Sequence, residues 1–131
     1  MKVLLLLSTV SFFALSANKC DSSKKETTPA ATATYKAKLE TKALCMNYTL
    51  RLMEGSMDTS MITPAWTDET TGKSYKNVFG LGNPCDFPSG IQQGDEFYFA
   101  IDTTSHKDEC AVCMAYYPTP PKKLIIKVIE K

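Results

Sequence analysis

The sequence predicts an all-β domain, a small barrel of five to six antiparallel strands that follows an exported N-terminal region. Three observations lead to this prediction. Six short segments after residue 34 alternate apolar with polar residues or are rich in β-branched residues. Turn-forming residues separate these segments, and none has the apolar spacing of an amphipathic helix. The chain left after export is about 110 residues, enough for one small domain in which a barrel would hide the strand edges.

The first three strands are predicted between residues 35 and 79. The segments Tyr35–Thr41 (YKAKLET) and Met46–Leu52 (MNYTLRL) alternate with a period of two, which is typical of half-buried strands. A long connection is predicted from Glu54 to about Trp66. The turn signal DETTG then leads into a third strand, Lys73–Phe79.

Three further strands complete the predicted domain. The stretch Gly80–Gly94 contains four glycines and two prolines and is predicted to be a loop. The strands that follow are Glu96–Asp102, with an apolar face of alternate residues, and Ala111–Tyr117, which nearby prolines end because proline cannot donate to a ladder. Lys123–Glu130 (KLIIKVIE) is apolar on both faces and is predicted to be a central strand.

Residues 1–19 are predicted to be a lipoprotein signal peptide. A positively charged start precedes the uncharged run Val3–Ala17, which is about 15 residues, short of the roughly 20 that cross a bilayer as a helix. A lipoprotein peptidase would cut before Cys20 and leave diacylglycerol on its thiol. Signal peptidase I would instead cut after Ala17 and release a secreted protein.

Lipidation of Cys20 is the preferred interpretation. The usual lipobox has Leu three residues before the cysteine and Gly or Ala directly before it, where this chain has Ala17 and Lys19. Cys20 nevertheless lies close behind the apolar run. Residues 20–34 lack large aliphatic side chains and are predicted to be a lipidated flexible tether. The folded domain is then 35–131.

The charge of the chain argues against a nucleic-acid partner. The sequence has 15 basic and 14 acidic residues, and removal of the two lysines before Cys20 leaves a net charge of about −1. Lys and Arg form no cluster that would follow a phosphate backbone. We expect two partners, the membrane through the lipid on Cys20 and an envelope protein or ligand. The expected location is the cell envelope, at the outer membrane or the periplasmic face.

The order of these segments resembles that of small Bacteroidetes-type lipoproteins with an OB-fold-like barrel of unknown function. The likeness covers about Thr34–Lys131. It depends on the placement of the cysteines and on the segments GKSY, GDEFYFAID and KLIIKVIEK. The resemblance implies an OB-like barrel on a membrane anchor, and it implies no activity or cofactor.

Four cysteines remain after Cys20, an even number that outside the cytoplasm indicates disulfides. Three pairings are possible. In an extended segment, positions three apart point to opposite faces, so Cys110 and Cys113 are expected to meet different partners. The preferred pairing is Cys45–Cys113 with Cys85–Cys110. The alternatives are a four-cysteine zinc site, which usually needs two C-x-x-C knuckles, and a redox-active C-x-x-C, which usually opens a helix.

Other residue groups have both a functional and a structural interpretation. Methionines four residues apart, with Cys and the single histidine, could bind Cu(I), although methionine is also an ordinary core filler. Acidic residues could form a carboxylate pair or a calcium site, but they lack EF-hand spacing. Aromatic residues could form a ligand platform of the kind OB-folds use, with Tyr98 and Trp66 the preferred candidates and core packing the alternative. These groups are Met53, Met57, Met61 with Met46, Met114 and His106; Asp95, Glu96, Asp102, Asp108 and Glu109; and Trp66, Tyr98, Tyr116 and Tyr117.

No set of residues resembles a catalytic triad, because His106 is the only histidine and lies in a polar loop. The sequence therefore predicts a non-enzymatic, membrane-anchored lipoprotein that binds or scaffolds another molecule. It predicts no cofactor and no metal. The alternative function is an envelope protein that responds to copper through Met and Cys ligands.

Overall fold

The computed structural model describes residues 33–104, 110–111 and 113–130. The predicted signal peptide, Cys20 and nearly all of the predicted tether lie outside the described residues, as do His106, Asp108 and Glu109. All described residues belong to one unit, residues 31–131.

The described residues form seven strands, which confirms the all-β prediction. Short 3-10 turns lie at Leu44–Met46 and Pro84–Asp86. The strands are β1 Thr34–Lys42, β2 Tyr48–Glu54, β3 Thr63–Thr67, β4 Ser74–Leu81, β5 Glu96–Ile101, β6 Lys123–Leu124 and β7 Ile126–Ile129.

The strands make one sheet in the order β3-β4-β2-β1-β5-β7, and each neighbouring pair on this path is antiparallel. The first strand lies at its centre, with Leu39 opposite Leu50 of β2 and Ala37 opposite Phe97 of β5. The short β6 pairs with β4 in parallel. Only Ile125 separates β6 from β7, so the last part of the chain contacts both β4 and β5.

The sheet is not closed into the expected OB-like barrel. The pairing of β4 with β6 ends after Leu124. After Leu124, the buried Asn83 side chain, rather than a neighbouring strand, bonds the main chain of Ile126. Its Nδ2 donates to the Ile126 carbonyl at 2.9 Å, and its Oδ1 accepts from the Ile126 N–H at 3.0 Å. The side chain thereby satisfies main-chain groups that a continuous ladder would pair, and the break at Ile125 remains.

The core consists of the residues that face inward from the strands. The alternation predicted for β1 is confirmed, since Ala37 and Leu39 are both fully buried. The rings of Phe79 and Phe99 pack at 5.6 Å between centroids. Burial of each large side chain stabilises the fold by about 1.5–3 kcal/mol. The buried cluster is Ala37, Leu39, Leu50, Ile62, Phe79, Leu81, Phe87, Phe97, Phe99, Leu124 and Ile126.

Four predicted elements differ from the structure. Lys123–Glu130, predicted to be one central strand, forms the two short strands β6 and β7, and β7 lies at the end of the strand order. The segment Ala111–Tyr117 forms no strand in its described residues. The predicted connection before Trp66 contains β3, where Pro64 is tolerated because an edge strand has one unpaired side and Pro64 has no partner in the register. The second strand begins at Tyr48 rather than Met46, because the chain before it makes a turn.

Candidate functional site

The segment between β5 and β6 is the most unusual part of the described chain. We call residues 113–121, together with Cys110, the strap. From Cys113 to Pro120 the strap has no helix, turn, bend or ladder partner. Three prolines near its end fix φ close to −65° and favour extended backbone in the residues before them. The segment Met114–Tyr117 (MAYY) therefore belongs to an irregular part of the chain in which no residue has positive φ.

Two disulfides attach the strap to the domain. Cys110 is bonded to Cys85, with Cα atoms 5.5 Å apart, and Cys113 is bonded to Cys45, with Cα atoms 4.9 Å apart. This is the pairing preferred from the sequence. The two strap cysteines connect to different 3-10 turns, as expected for positions three apart in an extended segment. None of the four sulfurs is then a thiolate that could bind zinc or copper.

Hydrogen bonds hold the strap beyond the disulfides. The Asn47 side chain donates from Nδ2 to the Ala115 carbonyl at 3.2 Å and to the Leu44 carbonyl at 3.1 Å. One amide group therefore joins the strap to the turn that contains Cys45. Two residues farther along, the Tyr117 hydroxyl donates to Oδ2 of Asp68 at 3.1 Å.

The Asp68 carboxylate is a buried anchor at the start of the β3–β4 turn. Burial would raise the pKa of Asp68, but the N–H groups of Thr70 and Thr71 and the Tyr117 hydroxyl donate to the carboxylate and lower that pKa below its usual value. Burial and the neighbouring Asp68 raise the pKa of Tyr117. The contact therefore favours an ionised Asp68 and a protonated Tyr117.

The end of the strap packs onto β4. Pro118 and Pro120 are buried, and the Gly80 N–H donates to the Lys122 carbonyl at 2.8 Å. A Cβ added at Gly80 would lie 3.1 Å from Cγ of Lys123 and 3.5 Å from the Pro120 carbonyl oxygen. Glycine at this position lets the strap approach β4 closely. The strap is thus fixed at both ends and at three points between them, Cys113, Ala115 and Tyr117.

The outward side of this strap is apolar. Met114 is 98% exposed and Tyr116 is 83% exposed, whereas the neighbouring Cys113 and Tyr117 bind the domain. Leu44, next to Cys45, is 57% exposed. We call Leu44, Met114 and Tyr116 the apolar tip. Only four large hydrophobic residues of the described chain are exposed, and three of them flank this disulfide. Exposed apolar side chains grouped around one disulfide make this surface a candidate interaction site.

The turn beneath the apolar tip is strained. Cys45 has φ 55° and Met46 has φ 58°, so two consecutive non-glycine residues adopt the left-handed conformation. Each such residue costs on the order of 1–3 kcal/mol and persists only where its surroundings hold it. Here the Cys45–Cys113 disulfide holds it. Strained backbone of this kind is concentrated at functional sites.

The two aromatic residues predicted as ligand-facing are not brought together. Trp66 lies on the edge strand β3 and stacks on Tyr75, directly opposite, with ring centroids 6.1 Å apart. It lines a shallow cavity of about 300 Å³. Tyr98 lies on β5, where Nζ of Lys36 is 5.9 Å from its ring centroid. Three strands separate β3 from β5 in the sheet, so these two rings do not form one platform.

The copper hypothesis finds no assembled ligand set in the part of the chain that the structure describes. Met57 and Met61 pack against the core, while Met53 is on β2 with 40% of its surface exposed. No group of three or more His, Cys, Asp and Glu residues among residues 33–104, 110–111 and 113–130 could hold a metal.

The predicted acidic residues that are described have structural roles. Oδ2 of Asp95 accepts from the Gln92 N–H at 2.8 Å and closes the turn before β5. The hydrogen bond from Lys36 at 2.7 Å lowers the pKa of Glu96. Asp102 accepts from the N–H and hydroxyl of Thr104. These contacts agree with turn and surface positions and do not form a carboxylate pair.

Sequence reasoning gave Leu44 and Asn47 no functional role, and it considered Met114 only as a copper ligand and Tyr116 only as part of an aromatic platform. An available signal was the cluster of prolines at positions 118, 120 and 121 directly after the C-x-x-C segment. Proline fixes extended backbone and prevents ladder pairing at once. This combination is typical of a surface segment that is held by disulfides or side-chain contacts rather than by strand pairing.

Two disulfides indicate that the domain resides in an oxidising compartment outside the cytoplasm. No helix in the described residues has the length and apolar character needed to cross a membrane. No family model matches this chain, and neither the curated proteins nor the solved structures contain a match to it.

Proposed function

We propose that this protein is an exported bacterial lipoprotein, anchored by diacylglycerol on Cys20, whose domain is a non-enzymatic module that binds a protein partner through the apolar tip. The observation that carries this proposal is Met114, which is 98% exposed although a disulfide fixes its neighbour in place. A flexible loop could fold an apolar side chain back onto the domain. A pinned strap keeps this side chain in solvent until a partner covers it.

The preorganised strap favours binding. A segment that is already ordered loses little conformational entropy when a partner binds it, and this raises affinity. Met and Tyr are also among the residues enriched at protein interfaces. The apolar tip is therefore suited to enter pockets on a partner protein.

The direction of β1 supports a membrane anchor at the opposite end. The chain comes from Cys20 into the start of β1 at Thr34, and the turn with Leu44 follows the end of β1 at Lys42. Nine residues of strand are about 30 Å long. Residues 21–33 could span at most about 45 Å if fully extended. An anchor at Cys20 would thus leave the apolar tip free to meet a partner away from the attachment point.

The sequence supports the rest of the proposal. The apolar run that ends at Ala17, the position of Cys20 and the even number of remaining cysteines favour lipidation. The resemblance to small Bacteroidetes-type lipoproteins with an OB-fold-like domain agrees with it, and membership of that group is part of this proposal.

Fractionation of cells tests the anchor. We expect Cys20→Ser to move the protein from the membrane fraction to the soluble extracytoplasmic fraction, because no thiol remains to carry the lipid. Lys19→Ala is the control, since it leaves the thiol and should remain in membranes. A Cys20→Ser protein that stayed with the membrane as firmly as the wild type would contradict the anchor and leave the binding proposal intact.

Site-specific photocross-linking in intact cells tests the binding surface. A photoreactive residue at the exposed Ala115 should form a cross-link to one protein, whereas one at Lys76, exposed on β4, should not. Met114→Ser or Tyr116→Ser should weaken that cross-link at least about tenfold, since a buried apolar anchor contributes over 1 kcal/mol to binding. Met53→Ser, which changes an exposed methionine elsewhere, should leave it unchanged. Equal cross-linking from all variants would refute the assignment.

A further inference from the structure

We propose that the strap is a substrate-like inhibitory loop, and that the partner of the apolar tip is an extracytoplasmic serine endopeptidase with an apolar specificity pocket that Met114 fills. This inference rests on the proposed binding function and names the class of partner. Three features of the strap carry it: a backbone without turn or bend, main-chain N–H groups without a main-chain partner, and attachments on both sides of one peptide bond.

The backbone of Cys113–Pro120 is compatible with the extended conformation that a peptide adopts in a substrate cleft. Residues 113–120 have no turn or bend, and none has a positive φ. The N–H groups of Met114 and Tyr116 have no main-chain acceptor among the described residues. A cleft that adds an extended peptide as a strand supplies the missing main-chain partners and takes alternate side chains into pockets. Met114 and Tyr116 have that two-residue spacing.

The peptide bond between Met114 and Ala115 is held on both sides. On one side the Cys113–Cys45 disulfide fixes the chain one residue before Met114. On the other, Asn47 donates to the Ala115 carbonyl, and the Tyr117 hydroxyl donates to Asp68. Cleavage of this bond would therefore not release either new end from the domain.

These pins determine the outcome of attack by a protease. The serine Oγ would add to the Met114 carbonyl carbon and form an acyl-enzyme, while the Oγ proton passes through the enzyme's base to the departing Ala115 amine. Water can then release the Met114 carboxylate. Because the strap keeps the amine beside the ester, attack by that amine re-forms the peptide bond and returns the serine proton in competition with water. Slow net hydrolysis in a tight complex is inhibition.

A membrane surface is the less favoured occupant of the apolar tip. The strap carries main-chain N–H groups without a main-chain partner, and each unsatisfied group costs several kcal/mol in hydrocarbon. A protein cleft provides acceptors for those groups, whereas acyl chains provide none. Vesicle binding is nevertheless one of the outcomes that the experiment separates.

The test is inhibition of chymotrypsin, whose specificity pocket is apolar, and trypsin, whose pocket carries a carboxylate, by the oxidised mature chain. We expect the wild type to inhibit chymotrypsin at equimolar micromolar concentrations and not to inhibit trypsin. Met114→Lys should weaken inhibition of chymotrypsin by at least about 100-fold, because it removes the central anchor, and should create inhibition of trypsin. Met53→Lys is the matched control and should behave as the wild type.

Three results would overturn the inference. They are a folded wild type that inhibits neither enzyme, rapid cleavage between Met114 and Ala115 with loss of inhibition, and a Met114→Lys variant with unchanged preference. Circular dichroism of each variant checks that it is folded. If inhibition fails while Ala115 still cross-links to a non-protease, the inhibitor inference is wrong and the binding function stands. If the tip instead binds anionic phospholipid vesicles and cross-links to no protein, both proposals are wrong.

Discussion

Removal of the Cys45–Cys113 disulfide gives a prediction that depends on the strained turn as well as on chain entropy. The two cysteines are 68 positions apart in sequence. With Cys85–Cys110 intact, however, the loop that the bond closes is only about 43 residues. The shortest covalent path from Cys45 to Cys113 runs along the chain to Cys85, across the bond to Cys110 and on to Cys113. The chain-entropy model then gives a stabilisation of about 4 kcal/mol. The same model gives about 3.5 kcal/mol for the Cys85–Cys110 loop, whose ends are 25 positions apart.

The strain in the turn reduces the first of these values. Cys45 and Met46 adopt left-handed backbone, with φ of 55° and 58°. Once the bond to Cys113 is absent, the turn can relax and recover roughly 1–2 kcal/mol in the folded state. We therefore expect Cys45→Ser/Cys113→Ser to lower the free energy of unfolding by about 2–3 kcal/mol, less than Cys85→Ser/Cys110→Ser, although its cysteines are farther apart in sequence.

Urea unfolding of the wild type and both double variants, followed by the fluorescence of Trp66, measures these differences. The Cys85→Ser/Cys110→Ser protein is the matched control, because it loses a bond from the same strap at a turn without positive φ. The argument is refuted if removal of Cys45–Cys113 lowers the free energy of unfolding more than removal of Cys85–Cys110 does, by the full difference between the two loop-entropy values. The turn would then store no strain that is released when the bond is absent.

Two further predictions concern buried polar side chains. Asp68 has a lowered pKa, so its contribution to stability is present above the unfolded value of about 3.9 and is lost as the pH falls through the folded value. The unfolding free energies of the wild type and Asp68→Asn should therefore differ at pH 7 and converge towards pH 2.5 in urea titrations; parallel curves would disprove the role of this carboxylate. Asn83→Ala should cost about 2–4 kcal/mol, because two main-chain groups of buried Ile126 lose their partner. The exposed Gln92→Ala is its control, and a cost below 1 kcal/mol would show that water replaces the amide.

The sequence was most informative where one face of a strand is buried. In β1 the alternation around Ala37 and Leu39 predicted both the strand and its inward side, because a period of two has only one arrangement with the apolar residues inside. The strand β3 was missed because Pro64 is a strand breaker in most positions. It is allowed here only by its place at the edge, which depends on the whole sheet.

The candidate site was beyond the reach of pattern reasoning for a physical reason. The letters MAYY are apolar and resemble a buried strand, yet Met114 and Tyr116 are exposed. The difference arises from two disulfides and from hydrogen bonds made by Asn47 and Asp68, which are 68 and 49 positions distant from their strap partners. Periodicity and turn signals are determined from residues close together in the sequence, so they do not reveal contacts between residues this far apart. The geometry of an extended C-x-x-C segment argued against a bond between Cys110 and Cys113, but it did not distinguish between the two pairings that remain.

The central position of β1 has a consequence for the order of folding. Strand β1 pairs with β5, more than 50 residues later in the chain, and the segment with β6 and β7, which pairs with β4 and β5, comes last of all. Such long-range pairing makes folding slow, since distant segments must meet before contacts stabilise them. Both disulfides also require an oxidising compartment. The domain can therefore assemble only after the segment with β6 and β7 is available to pair, and its two disulfides form only where the surroundings are oxidising.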